Sequence, residues 1–216
     1  MGRDWGEVIE VKVNFVQMLH KQLEKRPRGT FGLGTVTDPY QSLENEFELS
    51  RGSLGELRRA GSPVSVLTKS DLILRDLDIF SGWKNTEVGV SIASVDDEVC
   101  TLLEPGAPRP GRRLDSLRKL SEEGVDAYAM VAPIVPGVSD SEKSLRDLVR
   151  KVAETGTKRI MWDKFNPKPL AGARLRRTLA DKSIEFGKID GSWVSVVRGV
   201  LLDECKASSI ELLDAF

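Results

Sequence analysis

The sequence predicts an α/β protein built on a parallel sheet, closed or partly closed into a barrel. Three observations carry this. Short apolar runs alternate with longer amphipathic segments along most of the chain, and strands separated by helices need right-handed crossovers that make them parallel. Hydrophobic residues at 40% and charged residues at 30% of 216 positions give a globular balance in a length suited to one domain. Neither GxGxxG nor GxxxxGK[ST] occurs: Gly32 and Gly34 are followed by Thr37 where that first pattern needs its last glycine. A barrel or open barrel is therefore favoured over a nucleotide-binding open sheet.

The elements follow in order. Val8 to Val13 alternates like an edge or entry strand, and Phe15 to Lys25 has helical spacing. Gly29 to Val36 reads as a glycine-rich strand ending in Thr37-Asp38-Pro39. Leu49 to Ala60 is a helix stopped by Gly61, and Pro63 to Thr68 is a strand. Asp71 to Phe80 reads as a helix with Leu72, Leu74, Leu77 and Phe80 inward. Glu87 to Ile92 is a strand, and Asp96 to Leu103 a short helix closed by Glu104-Pro-Gly106. Arg112 to Glu123 is amphipathic, with Leu114, Leu117 and Leu120 on one face. Strands over Asp126–Val131 and Lys158–Trp162 flank a helix over Ser141–Thr155. Arg174–Ala180 and Val194–Cys205 look helical, and Ala207–Phe216 reads as a final helix or a loose tail.

Composition narrows the function. Lys and Arg total 32 and Asp and Glu 33, so net charge gives no reason to expect a nucleic-acid binder. No apolar run approaches the roughly 20 residues of a membrane helix, and the start lacks an apolar signal core. A cytoplasmic protein with reduced thiols is expected. Cys100 and Cys205 are far apart and form no CxxC-type pair, and His20 is the only histidine. No metal site is expected from the chain's own residues.

In parallel α/β folds the chemistry sits at the carboxyl ends of the strands. The polar residues expected there are Thr35, Thr37 and Asp38, then Thr68, Lys69 and Ser70, then Ser91 and Ser94, and finally Asp163, Asn166 and Lys168. Hydroxyls, a lysine and carboxylates around one mouth fit a zwitterionic or phosphorylated small molecule. Each has a plain structural alternative: Asp38 before Pro39 starts turns, and Ser70 can cap the following helix. Lys69 is the sharpest candidate. It can pair with a ligand carboxylate, or act as a Schiff-base lysine in an aldolase or isomerase. The arginine-rich runs Arg109–Arg113 and Arg174–Arg177 leave a third possibility, a non-catalytic module touching phosphates.

Six blocks carry a family resemblance: Gly34–Gln41, Val66–Leu77, Val88–Ile92, Leu103–Pro108, Pro133–Gly137 and Asn166–Pro169. In this order and spacing the sequence resembles the spore photoproduct lyase-like (DNA repair photolyase-like) branch of radical S-adenosylmethionine enzymes, over roughly residues 8–170. The resemblance implies an incomplete parallel (β/α)6-type barrel in a single domain, 1–216, whose residues 171–216 form a helical extension. It implies S-adenosylmethionine as cofactor, contacted by Thr37, Asp38, Lys69 and Ser91, with Asp163, Asn166 and Lys168 on the substrate side and nucleic acid as a partner. In that family three cysteines in CxxxCxxC hold a [4Fe-4S] cluster with one iron open. Here the match starts just downstream of where that loop is expected, and neither cysteine replaces it. The first strand and cluster loop are therefore expected to be missing or degenerate, and the chain alone inactive as a lyase.

Overall fold

A computed structural model describes residues 8–25, 27–166 and 169–215. Its elements are α1 (Phe15–Leu23), β1 (Phe31–Leu33), α2 (Glu44–Phe47), α3 (Leu49–Arg59), β2 (Val64–Thr68), a 3₁₀ turn (Asp71–Asp76) running into α4 (Leu77–Phe80), β3 (Thr86–Ser91), α5 (Asp97–Leu103), α6 (Pro110–Glu122), β4 (Ala127–Ile134), α7 (Glu142–Ala153), β5 (Arg159–Lys164), α8 (Pro169–Asp181), α9 (Gly191–Ala207) and β6 (Glu211–Asp214). The six strands form one sheet in the order β1 to β6, and every neighbouring pair is parallel. This is the expected partial parallel barrel.

Strand alternation divides the sheet into two faces. Val64, Val66, Val88, Val90, Ala129, Val131, Ile160 and Trp162 are buried on the face that the helices cover. They pack with Leu54 and Leu57 of α3, Leu117 and Leu120 of α6, and Leu145, Leu148 and Val152 of α7. Inner-face neighbours include Gly89 and Tyr128, paired in register. A Cβ on Gly89 would stand 2.4 Å from Tyr128 Cζ, so the phenol ring lies directly on the glycine.

Three readings change. Val8 to Val13 is irregular and largely exposed, not a strand; alternation without a hydrogen-bonded neighbour does not hold a strand together. The segment 71–80 is not one α-helix but a 3₁₀ turn plus one α-turn, and Ile73 and Phe80 are its buried apolar anchors, while Leu72, Leu74 and Leu77 are half-buried. Ser70, with its hydroxyl accepting from Leu72 N at 3.3 Å, fixes the tight start. Where a final helix or loose tail is expected, Glu211–Asp214 forms β6 and extends the sheet.

That last strand is tied down by charge. Asp214 accepts from Trp162 Nε1 at 2.6 Å and from Arg198 Nε at 2.9 Å. Between α7 and α9, Arg150 Nε and Arg146 Nη1 donate to Glu204 at 2.8 and 3.1 Å. Hydrogen bonds from Arg150 and then Arg146 hold the Glu204 carboxyl below its ordinary value, and Arg198 does the same for Asp214. A carboxylate whose folded value is lowered contributes stability above its unfolded value and loses it as pH falls through the folded one. The melting temperature is therefore expected to fall as pH drops below about 4.5. Glu204→Gln should flatten part of that acid limb in a melting series from pH 7 to 3. An unchanged limb would show the clamp to be irrelevant.

Candidate functional site

The site is built where β1, β2 and β3 end. Gly34, at φ +102°, turns the chain out of β1. The turn that follows is organised by Asp38. Its Oδ1 accepts from Tyr40 N at 2.9 Å and Thr68 Oγ1 at 2.6 Å, and its Oδ2 accepts from Lys69 N at 2.8 Å. Both oxygens are thus engaged in joining the β1 and β2 exits. Asp38 is a Pro39-preceding turn residue, as its plain reading has it, and also lines the mouth.

Behind this turn lies a buried polar cluster. The Tyr40 hydroxyl donates to Asp76 Oδ2 at 3.0 Å, and Asp76, fully buried, accepts from Arg51 Nη1 and Arg75 Nε, each at 2.8 Å. Arg75 also donates to Glu44 at 2.9 Å. Burial first, and then Asp76, push the Tyr40 phenol well above its ordinary value, so it acts as a fixed donor.

Lys69 leaves β2 beside Glu104. Its Nζ stands 3.6 Å from Glu104 Oε1, and its side chain is 40% exposed against 6% for Glu104. Arg113, wholly buried, donates through Nη1 to Glu104 Oε2 at 2.5 Å and to Ser91 O at 3.0 Å, and through Nε to Pro108 O at 2.7 Å. The Ser91 hydroxyl donates to Ala132 O at 3.1 Å and is buried.

Two open cavities meet along this rim. One of about 980 Å³ is lined by Asp38, Tyr40, Lys69, Arg75, Pro105 and Arg112 among others. Its neighbour, about 530 Å³, is lined by Ile9, Val36, Thr37, Asp38 and Gln41. The structure thus brings Thr37, Asp38 and Lys69 to one mouth. Ser91 lines neither cavity and reaches the site through its carbonyl and Arg113. Asp163 lies on β5, half-buried, with its carboxyl pushed up chiefly by burial. Asn166 is exposed beyond β5 and lines neither cavity. Lys168 lies outside the described residues.

Sequence reasoning missed Tyr40, Asp76, Glu104 and Arg113. Glu104 and Arg113 stand in recognisable segments, but only folding brings α6 against the end of α5. One expectation is corrected outright: Arg113 cannot touch phosphates, because it is enclosed and bonded to Glu104. Arg109 and Arg112 of the same run pair with Asp97 and Asp71. Arg174, Arg176 and Arg177 do lie exposed on α8.

Among the described residues no group of three or more His, Cys, Asp or Glu is placed to hold a metal. Cys100 donates to Ser94 O at 3.1 Å, and burial pushes its thiol up to about 11; Cys205 is likewise buried and pushed up to about 12. Two separated, protonated thiols do not fit a cluster that needs three thiolates. His20 sits exposed on α1 against Glu56 at 2.8 Å, a surface role. No described helix is long and apolar enough to cross a membrane.

No protein-family profile matches the chain. Curated relatives do. An uncharacterized protein of Mycobacterium tuberculosis H37Rv is 37% identical over 161 residues, covering 72% of this chain and 47% of the relative. One from Methanocaldococcus jannaschii is 34% identical over 138 residues (64% and 52%), and one from Acidianus two-tailed virus 31% over 166 (74% and 54%). The chain spans about half the length of these relatives. Among solved structures, spore photoproduct lyase with bound AdoMet and dinucleoside spore photoproduct superimposes with a TM-score of 0.69 at 15% identity, covering 96% of this chain and 67% of that one. SuiB of Streptococcus suis bound to S-adenosylmethionine gives 0.66 at 14% identity, covering 99% and 45%. At such identities the likeness speaks for the fold: this chain has the parallel partial-barrel fold of radical S-adenosylmethionine enzymes.

Proposed function

We propose that this chain is the S-adenosylmethionine-holding part of a radical S-adenosylmethionine enzyme of the spore photoproduct lyase-like branch, working in the cytoplasm. The observation that carries the reading is Lys69. It presents a half-exposed ammonium at a strand end, on a turn organised by Asp38, in a fold that superimposes on a lyase holding AdoMet. Lys69 would take the methionine carboxylate, while Thr37 and the Asp38 turn line the same mouth. Ser91 would act near the ribose, and Asp163, Asn166 and Lys168 on the substrate side. The two cysteines of these 216 residues do not fit a [4Fe-4S] cluster, so this chain by itself would bind S-adenosylmethionine and not cleave it. Two free, buried thiols fit a reducing compartment. A nucleic-acid substrate is favoured by the exposed Arg174, Arg176 and Arg177 and by the dinucleoside that the similar lyase holds.

The competing reading, a Schiff-base lysine, needs an amine enclosed in a desolvating pocket. Lys69 is 40% exposed beside a carboxylate.

Calorimetric titration should show saturable S-adenosylmethionine binding, weakened about tenfold or more in Lys69→Ala, since a charged hydrogen bond is worth roughly 1.5–3 kcal/mol. No 5′-deoxyadenosine should form, and borohydride should trap no carbonyl adduct. Absence of binding at millimolar ligand, or trapping at Lys69, would sink the reading.

A further inference from the structure

Lys69 does not stand alone. Glu104 follows α5, and its side chain is more than nine-tenths buried. One oxygen is closed by Arg113; the other, Oε1, has no hydrogen-bond partner and lies 3.6 Å from Lys69 Nζ. Arg113 is itself fixed by the carbonyls of Ser91 and Pro108. We infer that Glu104, anchored by Arg113, is a positioning residue that aims the Lys69 ammonium into the mouth and so selects ligands bearing a carboxylate beside the reactive centre. This deepens the proposed function and rests on it.

Charge decides between aiming and quenching. A Glu104 that had only Lys69 would neutralise it, and the mouth would offer little to an anion. Arg113 already neutralises Glu104, so the three side chains together keep one positive charge, and its exposed end is Lys69. The other charged groups along this cavity are committed. Arg112 pairs with Asp71, Arg75 with Glu44 and Asp76, and Asp38 with the backbone of Tyr40 and Lys69. The open Oε1 accounts for why the pair is more than structural filling. The pair leaves two buried polar atoms without a hydrogen-bond partner, Arg113 Nη2 and Glu104 Oε1, and Oε1 is the one set 3.6 Å from Lys69, the one lysine among the described residues lining the cavity.

The test compares two ligands that differ in the carboxylate: S-adenosylmethionine and its decarboxylated form. Affinities are measured for the wild type, Glu104→Gln, Lys69→Ala and the double variant. Glu104→Gln should weaken S-adenosylmethionine about five- to tenfold and leave the decarboxylated ligand within about twofold. In the Lys69→Ala background it should cost nothing further. Equal loss for both ligands, or full additivity with Lys69→Ala, would mean a structural role and overturn the inference. If Glu104→Gln does not melt cooperatively, Glu104→Asp serves instead: it keeps the charge for Arg113 and withdraws the acceptor from Lys69, and the same discrimination must fall. Wild-type protein that binds neither ligand defeats the parent reading and this one together. Binding that depends on Lys69 but not on Glu104 defeats this one alone.

Discussion

Arg113→Met is expected to destabilise the protein by about 3–5 kcal/mol, the cost of leaving one member of a buried ion pair alone. Of a domain's roughly 5–15 kcal/mol that is a large share. Arg113 is fully buried, and its removal strips a partner from Glu104, from the Ser91 carbonyl at the end of β3 and from the Pro108 carbonyl before α6. Methionine fills a similar volume, so the loss reflects uncompensated polarity more than a cavity. The check is urea unfolding of Arg113→Met beside Arg113→Met/Glu104→Leu. If the charge left on Glu104 is the main cost, the double variant recovers most of the loss, because replacing both partners removes the unpaired carboxylate. Equal instability of the two would put the cost in the two carbonyls instead. The single variant has a second expected effect: with Arg113 gone, Glu104 has only Lys69 as counter-ion, so the mouth should bind anions more weakly than its stability alone accounts for.

The barrel is legible in the sequence because burial repeats at the period of each element. Val64, Val66 and Thr68 alternate on β2, and Leu117 and Leu120 recur on α6, so their faces can be read without a partner in view. What escapes is what periodicity does not encode. The stretch Glu211–Asp214 has no strong alternation; it becomes a strand because β5 offers a free edge and Arg198 and Trp162 hold Asp214. Val8 to Val13 has the alternation, but it does not pair with the outer edge of β1 and stays irregular. The site divides the same way. That Thr37, Asp38 and Lys69 stand on one rim follows by rule, since carboxyl ends of parallel strands gather there. Glu104 and Arg113 are missed because an arginine in a charged helical stretch reads as solvated, and only the approach of α6 to the loop after α5 reverses that.

Gly34→Ala tests whether that rim depends on backbone contact. Gly34 has φ +102°, where a side chain is strained in any surroundings, and here the surroundings also forbid one. An added Cβ would fall 2.0 Å from the carbonyl oxygen of Leu67, with Pro39 Cδ at 3.2 Å. The obstacle is β2 backbone, which cannot swing aside as a side chain does. Strain of roughly 1–2 kcal/mol for the backbone and 1–3 for the overlap puts the loss at about 3 kcal/mol, a melting shift on the order of 10 °C for a chain of this size. Gly29→Ala is the control. It shares the positive φ, +113°, with nothing within 4 Å of the added carbon, so it carries only the backbone part. The difference between the two variants therefore reads out the β1–β2 contact itself. Because Asp38 bonds to Lys69 N across that same contact, the Gly34 variant should also lose ligand affinity under conditions where it remains folded, while Gly29→Ala keeps it. Matching stabilities for the two would show that β2 yields to the added methyl, and that the rim is held by Asp38 alone.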